Sequence, residues 1–417
     1  MAAGGKGLAR YEGMVLFVAD ALVGDQVRVK VISQSKRYAE AEVVEFLKPS
    51  QERIKEPCSH VSECGGCCWQ AATYENQLSW KHQFLKSALS RIAKVDDALA
   101  IGIVPSPKMY GYRNRVHLKG RVAADGSIRL GYFRRKSNDL VAITECKISD
   151  LQITDFFEFI KDIRLNVSRE FKFKVEIQVY LEGVSIVFFP DHHDEEQQKM
   201  LRSLCAELSR WEKLVWVGFV SDVRRDLFLA WDHDKFGTWF ARPAAFSQVN
   251  IEANALLRKR VFELVDPDAK RVLDVCCGNG NFSIPLRKPG RYIEGVELSF
   301  HSIDCAQYNV LKNPIPDTEN PNYLVGDATR HLWKCARGGE SFDTVILDPP
   351  RAGLYEGMIP LAKIKPKQII YISCDPATLA RDVGSLCKQG YKIVFAEAYD
   401  FFPQSFHVES LLVLRID

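Results

Sequence analysis

The first fifty residues contain short runs in which apolar and polar residues alternate. Residues 6–48 contain the runs MVLFVAD, QVRVKVIS and YAEAEVVEFL, and the turn signal LVGD separates the first two runs. Alternation over short runs is typical of β-strands that have one buried face. About five short strands in so few residues predict a small β-barrel, which we assign to residues 1–49.

From about residue 240 the pattern changes to strands that alternate with helices. The strand segments read RVLDVCC, YIEGVEL, FDTVILD, QIIYISC, YKIVFAEAYDF and HVESLLVLRI. Several of them are almost entirely apolar, as expected for parallel strands that helices cover on both faces. We therefore predict a Rossmann-like α/β domain over residues 241–417.

The stretch between these two units has a mixed character. Residues 50–66 are polar and rich in cysteine, and they are followed by a helical pattern in YENQLSWKHQFLKSALSRI and by strands in KVEIQVYLEGVSIVFFP. We assign residues 50–240 to a mixed α+β central domain. A length of 417 residues agrees with two or three compact units.

Composition restricts the class of protein further. With 47% hydrophobic and 26% charged residues, the chain has the composition of a globular protein. No apolar run approaches the ~18 residues of a membrane span, and the N-terminus has no apolar core of a secretory signal. We expect a cytoplasmic monomer without a membrane partner. In that reducing compartment the 12 cysteines are available for burial, metal binding or chemistry.

A basic strip covers residues 105–136. Its cations outnumber its single acid, Asp125, by nine to one, and aromatic residues lie between them. The members are Lys108, Arg113, Arg115, Lys119, Arg121, Arg129, Arg134, Arg135 and Lys136, with Tyr110, Tyr112, Tyr132 and Phe133 interleaved. Cations with stacking rings favour a nucleic acid that has exposed bases. The alternative is a solvated hairpin whose charges only keep it soluble.

A glycine-containing loop follows the first strand of the α/β domain, in VLDVCCGNGNF. Gly278 and Gly280 let the backbone pass close beneath a ligand, but the third glycine of a dinucleotide fingerprint is absent. Glu297 ends the next strand, where it can bind ribose hydroxyls, and Asp327 ends a later strand, where it can bind an adenine amino group. Together these features suit S-adenosylmethionine. The alternative is a tight turn beside two solvated acids.

Two further strands end in residues that carry chemistry. Asp348, in DPPR, lies at the carboxyl edge of the predicted sheet, where open α/β folds bind ligands. Cys374 closes the strand QIIYIS and precedes the helix start DPATLARDV. Because a helix N-terminus favours negative charge, we expect the thiol of Cys374 to be biased toward thiolate.

A cluster of cysteines follows the N-terminal strands. Cys58, Cys64 and Cys67 have the spacing C-x5-C-x2-C, and Cys146 can supply a distant fourth thiolate. The neighbouring Cys68 competes for that fourth position. Four thiolates suit either zinc or an iron–sulfur cluster, and spacing alone does not separate the two.

Three motifs in the second half of the chain carry a family resemblance. DPPRAG, YISCDPAT and YDFFPQSFHVES closely resemble the RNA 5-methyluridine methyltransferase family, the group of TrmA and RumA/RlmD. FSQVN at 246–250 resembles the start of that family's catalytic domain. Near the N-terminus, GKGLARYEGMVLFVADALVGDQV resembles an OB-like TRAM domain, and the cysteine spacing matches the family's iron–sulfur motif.

The resemblance implies a role for each matching residue. Cys374 is the nucleophile that adds to carbon 6 of uracil, and Glu409 is the base that removes the proton from carbon 5. The residues that contact the cofactor or hold the target base are Gln248, Cys276, Gly278, Asn281, Glu297, Asp327 and Asp348. A structural 4Fe–4S cluster is held by Cys58, Cys64, Cys67 and Cys146.

Two positions depart from the family pattern. Cys276 stands where the family usually has Tyr or Phe, so an aromatic contact is missing there. Asp375 replaces the usual Asn after the nucleophile, and we expect its carboxylate to raise the pKa of Cys374.

The resulting hypothesis is S-adenosylmethionine-dependent methylation of carbon 5 of a uridine in RNA, through a covalent adduct with cysteine. The first choice of substrate is 23S ribosomal RNA, since the TRAM-like segment and the cluster resemble the ribosomal RNA enzymes. One alternative is the same chemistry on the T-loop uridine of tRNA. A second alternative is an RNA-binding iron–sulfur protein without catalysis.

Overall fold

The computed structural model describes residues 1–2, 4–95, 99–135 and 137–416. Its first unit is a sheet of four strands in the order β1-β2-β4-β3, where five strands were predicted. The strands are β1 (Gly7–Tyr11), β2 (Met14–Ala19), β3 (Gln26–Gln34) and β4 (Tyr38–Lys48). Leu16, Val18, Ala21 and Ala41 form a small core on one face. The closed TRAM-like barrel stays a prediction.

The segment after this sheet leads into helix α1 (Tyr74–Ala88), which begins where the side chain of Thr73 accepts a hydrogen bond from the N–H of Asn76. A π-helical turn continues it, and the short strand β5 (Ile101–Val104) follows. We assigned this stretch to the central domain. In the structure the apolar face of α1 packs against the large sheet described below, and Leu85 lies in the same core as Leu379.

A second sheet has six strands in the order β11-β10-β9-β6-β7-β8. They are β6 (Arg115–Val122), β7 (Ile128–Phe133), β8 (Leu140–Ala142), β9 (Phe171–Tyr180), β10 (Gly183–Phe189) and β11 (Leu214–Phe219). Helices α2 (Leu151–Ile160) and α3 (Glu195–Leu208) cover one face. The strict alternation along β6 buries Val116 and Leu118 on that face and leaves Lys119 on the other. A separate hairpin follows, β12 (Leu229–Asp234) and β13 (Gly237–Ala241).

The third sheet has eight strands in the order β16-β15-β14-β17-β18-β20-β19-β5. The strands not yet given are β14 (Arg271–Val275), β15 (Tyr292–Glu297), β16 (Asn322–Val325), β17 (Thr344–Leu347), β18 (Gln368–Ser373), β19 (Lys392–Tyr399) and β20 (Glu409–Arg415). The helices around it are α4 (Ile251–Leu264), α5 (Phe300–Lys312), α6 (Ala328–Gly338), α7 (Met358–Ile364) and α8 (Pro376–Cys387).

This sheet is mixed rather than wholly parallel. Strands β14 to β18 run parallel, but β20 is antiparallel to both of its neighbours. The strand order reverses between β14 and β17, which is where open α/β sheets bind ligands. In the described part of the chain, no helix is long and apolar enough to cross a membrane.

Candidate active site

The loop after β14 lies at the edge where the parallel strands end. Cys276 has φ +60° and Gly278 has φ +54°, so the chain turns sharply in the left-handed region. Gly280 has φ +82°, and a Cβ there would come 2.5 Å from the side chain of Ile284. The N–H of Gly278 donates to Oε2 of Glu297 at 3.3 Å, so the loop and the acid of β15 form one unit.

Four carboxylates gather at this edge. Burial, followed by the charge of Glu297, raises the pKa of Asp274 to about 7. Burial and then the charges of Asp274 and Glu297 raise the pKa of Asp348 to about 7. Burial and the charge of Asp348 also raise the pKa of Glu409 well above its usual range. Sequence reasoning missed Asp274, although a lone acid inside the apolar run RVLDV was a signal. Such a group of buried acids favours a cationic ligand.

The register of two antiparallel strands brings Cys374 and Glu409 together. Ser373 at the end of β18 pairs with Ser410 in β20. Cys374 and Glu409 are the next residues toward the ligand-binding edge, and opposed residues have Cα atoms about 4.5–5.5 Å apart. The nucleophile and the base predicted from the motifs therefore face each other.

The thiol of Cys374 is neutral in this structure. Burial and the charge of Glu409 raise the pKa of Cys374 to about 11, and the guanidinium of Arg351 acts in the opposite direction. The predicted bias toward thiolate is wrong here, because burial outweighs the effect of the helix N-terminus. We expected Asp375 to raise the pKa of Cys374, but Asp375 is not among the main causes of the shift. Its Oδ1 caps helix α8 by accepting from the N–H groups of Ala377 at 2.9 Å and Thr378 at 3.1 Å.

Arg351 is the cation nearest to this pair. Its guanidinium donates to Nδ1 of His407 at 2.6 Å. Burial and the charge of Arg351 lower the pKa of His407 to about 4, so the imidazole is neutral and accepts this hydrogen bond. His407 thus orients Arg351, whose charge lowers the pKa values of Cys374 and Glu409. Sequence reasoning gave Arg351 a place but did not predict its partner.

The loop 400–408, which we call the catalytic loop, is held by the cysteine-rich segment. Gln404 is buried with φ +71°, and its carbonyl accepts from the N–H groups of Cys68 and Trp69, each at 3.1 Å. Its side chain and its N–H form two hydrogen bonds with the amide of Gln77 in α1, at 3.0 and 2.8 Å. Lys81 and Asp400 form a fully buried ion pair at 2.5 Å beside these contacts. We call these contacts of the catalytic loop with the cysteine-rich segment and α1 the latch. None of them was apparent from the sequence.

Comparison with known proteins decides the family. The family model described as tRNA (uracil-5-)-methyltransferase matches residues 73–320 and 330–416. The chain belongs to that family. An uncharacterized RNA methyltransferase of Aquifex aeolicus is 32% identical over 99% of this chain and 96% of its own length. A 23S rRNA (uracil(1939)-C(5))-methyltransferase RlmD of Pseudomonas fluorescens is 31% identical over 99% of this chain and 89% of its own length.

A solved structure extends the likeness to the fold. The crystal structure of Pyrococcus abyssi tRNA (uracil-54, C5)-methyltransferase with S-adenosyl-L-homocysteine has a TM-score of 0.68 and 25% identity. The alignment covers 98% of this chain and 97% of that one. The class I methyltransferase-like α/β fold is therefore confirmed. The predicted activity, S-adenosylmethionine-dependent methylation of carbon 5 of uracil in RNA, is confirmed as well.

Three other residues to which the resemblance gives a cofactor role lie at or near the same edge. Asp327 precedes α6, and its Oδ1 accepts from the N–H of Arg330 at 2.8 Å. Gln248 is half-buried in the loop before α4. Asn281 is buried, and its Oδ1 already accepts from Asn254 at 3.0 Å and Arg258 at 3.1 Å. A cofactor contact by Asn281 would have to share that network, and all three roles stay predictions.

The predicted cluster cysteines lie around one cavity beside the six-stranded sheet. Cys58, Cys64, Cys67 and Cys146 all line it. Burial raises the pKa of Cys67 to about 12, and the nearby Cys146 and Cys64 add to that shift. Cys68 lies elsewhere, since a Cβ on Gly5 would come 2.9 Å from its sulfur and from the ring of Phe406.

The basic strip is not one solvated face. The buried guanidinium of Arg115 donates to the carbonyls of Ala245 at 2.9 Å and Ser247 at 2.8 Å. Arg134 pairs with Glu63 at 2.6 Å and Arg135 with Asp20 at 2.5 Å, so these two cations tie the six-stranded sheet to the preceding segments. Lys136 lies outside the described residues. Three cations of the basic strip line one solvent-facing pocket, namely Lys119, Arg121 and Arg129.

Proposed function

We propose that this enzyme methylates carbon 5 of a uridine in 23S ribosomal RNA, with Cys374 as nucleophile and Glu409 as base. The observation that carries the assignment is the strand register, which sets Cys374 opposite Glu409 at the ligand-binding edge of the sheet. Carbon 5 of uracil is a poor nucleophile, and addition of a thiolate to carbon 6 turns the ring into a reactive enolate. A base is then needed to remove the proton from carbon 5, so that the cysteine can leave.

S-adenosylmethionine supplies the methyl group on a positively charged sulfonium. The loop at Cys276 and Gly278 gives its backbone to the cofactor, and Glu297 and Asp327 bind the ribose and the adenine. Burial and then Glu297 raise the pKa of Cys276 to about 12, so this residue presents a neutral thiol to the cofactor. Gln248 and Asn281 complete the site from the α4 side.

The raised pKa of Cys374 sets a requirement for the first step. Its proton must leave before the sulfur attacks, and the guanidinium of Arg351 is the group that stabilises the resulting thiolate. His407 holds Arg351 in place at 2.6 Å without competing for charge, because it is neutral. Arg351 therefore has an electrostatic role where amino-group methylases use a stacking ring.

Glu409 needs a comparable change before it can accept a proton. Burial and the charge of Asp348 raise its pKa well above the usual range, which favours the protonated form. A sulfonium held near Asp348 would offset that negative charge and would lower the pKa values of both carboxyl groups. Glu409 would then be prepared to accept the proton from carbon 5.

Cofactor affinity should consequently depend on pH. Asp348, with a pKa of about 7, is largely protonated at pH 6, and the sulfonium favours its ionised form. S-adenosylmethionine should bind more weakly as the pH falls below 7, by up to about tenfold per pH unit. S-adenosylhomocysteine has an uncharged sulfur and should show a flatter profile. Titration calorimetry at pH 6, 7 and 8 measures both ligands, and Asp348→Asn should reduce the difference between them. Identical profiles would remove Asp348 from the sulfonium site.

The four cysteines support the proposal of a 4Fe–4S cluster. In a tetrahedral zinc site the Zn–S distance of about 2.3 Å places sulfurs about 3.8 Å apart. All four cysteines are described, and no three of their sulfurs come within 4.8 Å of one another. A cavity lined by all four cysteines suits a cluster whose thiolates bind different iron atoms. Cys58, Cys64, Cys67 and Cys146 would hold the cluster, which braces the segment beneath the catalytic loop. The N-terminal sheet is then the TRAM-like RNA-binding unit.

Two RNAs are candidates for the target, 23S rRNA and tRNA. The RlmD relative acts on uracil 1939 of 23S rRNA by its name, whereas the Pyrococcus neighbour is a tRNA uracil-54 enzyme. Mapping of 5-methyluridine in 23S rRNA and in the T-loop of tRNA, with and without the gene, distinguishes them. We expect a single position in 23S rRNA to lose its methyl group. A loss confined to the T-loop would establish the tRNA alternative.

A further inference from the structure

A concave pocket of about 730 Å³ lies on the solvent face of the six-stranded sheet, and we call it the sheet pocket. Three adjacent strands supply cations to its lining. These are Lys119 and Arg121 from β6, Arg129 from β7, and Lys172 and Lys174 from β9. Two acids, Asp139 and Asp191, also line it. The pocket therefore carries an excess of positive charge.

The strand register places these cations opposite one another. Lys119 pairs with Lys174, Arg121 pairs with Lys172, and Arg121 pairs with Arg129 on its other side. Like charges directly opposite each other destabilise a sheet. Partial burial and then the charge of Lys174 lower the pKa of Lys119. Glu170 pairs with Arg121 at 2.6 Å and partly compensates the two pairs that include Arg121. The repulsion between Lys119 and Lys174 is one that an anionic partner offsets when it binds.

An aromatic ring lies on the same face. Phe133 follows Arg129 in β7 by four residues, so the alternation of the strand directs both side chains to the same side. The ring is 36% exposed, and Nζ of Lys119 lies 5.3 Å from its centroid. A ring beside several cations suits an RNA strand, whose bases stack while its phosphates contact the cations. An acidic peptide would use the cations but not the ring.

The strand β6, which carries part of the sheet pocket, also contacts the loop before α4. Arg115 lies on the same face of β6 as Lys119 and holds the carbonyl of Ser247, which precedes Gln248. Lys119 follows Arg115 by four positions along the strand, a distance of about 13 Å. Strand β6 therefore links the sheet pocket to the loop that carries Gln248, a predicted residue of the active site.

We propose that the sheet pocket binds the RNA strand that flanks the target uridine, with phosphates on the cations and one base on Phe133. The assignment rests on the proposed function, because it takes RNA as the substrate. Lys172 and Lys174 lie outside the basic strip and become part of the RNA site only through the pairing of β6 with β9.

The test uses the full-length enzyme and an unmodified 23S rRNA transcript. The double variant Lys172→Ala/Lys174→Ala should bind the transcript about tenfold more weakly near 0.1 M salt, with a salt dependence lowered by nearly two phosphate contacts. Affinity for S-adenosylmethionine should not change. The variant should melt no lower than the wild type, because it removes two like-charge pairs. Lys161→Ala/Lys388→Ala changes the charge equally at two exposed positions outside the pocket and serves as the control.

The ring has its own pair of variants. Phe133→Ala should weaken binding of the transcript about fivefold or more, whereas Phe133→Tyr keeps a stacking face and should bind normally. Unchanged affinity and salt dependence in the double variant and in Phe133→Ala would overturn the assignment of the pocket. A wild-type enzyme that binds this transcript through Lys172 and Lys174 but does not methylate it would support the pocket and overturn the proposed target.

Discussion

Replacement of Glu409 by Gln is expected to produce an enzyme that transfers one methyl group and then remains covalently attached to its RNA. Gln keeps the size of the side chain but cannot accept the proton from carbon 5, so the cysteine cannot be eliminated. Turnover should fall by at least about 10²-fold, the usual minimum contribution of a general base. The adduct should survive denaturing electrophoresis and carry label from methyl-labelled cofactor.

The structure makes this substitution unusually conservative. Burial and the charge of Asp348 raise the pKa of Glu409 well above its usual range and so favour its neutral form, which a neutral amide resembles in charge as well as in shape. The melting temperature of the variant at neutral pH should therefore be close to that of the wild type. Adding Cys374→Ala should abolish the adduct, which identifies the attachment site. Near-normal turnover without any adduct would remove Glu409 from the mechanism.

The second large effect concerns the cysteine cavity. Anaerobically purified protein should be brown, with visible absorbance that dithionite bleaches, and Cys146→Ser should lose most of its iron. Cys146 is the only one of the four predicted ligands that lies beyond the cysteine-rich segment in sequence, so its loss also removes the link that a cluster would make between that segment and the residues after the strand β8. Cys68→Ser is the matched control, because Cys68 faces Gly5 and Phe406 instead of the cavity. This variant should keep its iron.

Iron analysis and visible spectra of the two variants decide the ligand set. Equal loss of iron in both would restore Cys68 as a ligand. A colourless wild-type protein that contains one zinc ion would contradict the cluster altogether.

Local motifs accounted for much of the site. Gly278, Glu297 and Cys374 each lie where a strand ends, and the carboxyl ends of neighbouring strands meet at one edge whatever the rest of the chain does. The protonation state of Cys374 was not predictable in the same way. It depends on burial and on Glu409, which reaches the thiol through the pairing of β18 with β20.

The contacts that were missed all join distant parts of the sequence. An amphipathic helix such as α1 does not specify which sheet it covers, and nothing in a single sequence links Gln77 to Gln404. The basic strip shows the same limit, because Arg134 and Arg135 are paired with acids from earlier segments. In our proposal, Lys172 and Lys174 take over part of the RNA-binding role that the sequence assigned to the basic strip.

The latch at Gln404 has a consequence for the synthesis of the chain. The N–H groups of Cys68 and Trp69 find their acceptor in a residue that is translated more than 300 residues later. At typical elongation rates of about 5–20 residues per second, that interval is roughly 20–70 s. Late in this interval the nascent chain contains all four predicted cluster ligands and the residues of the sheet pocket, but Glu409, the proposed base, is still missing. The proposed reaction therefore cannot begin before the last strand is complete, even when the residues proposed to bind RNA are already present.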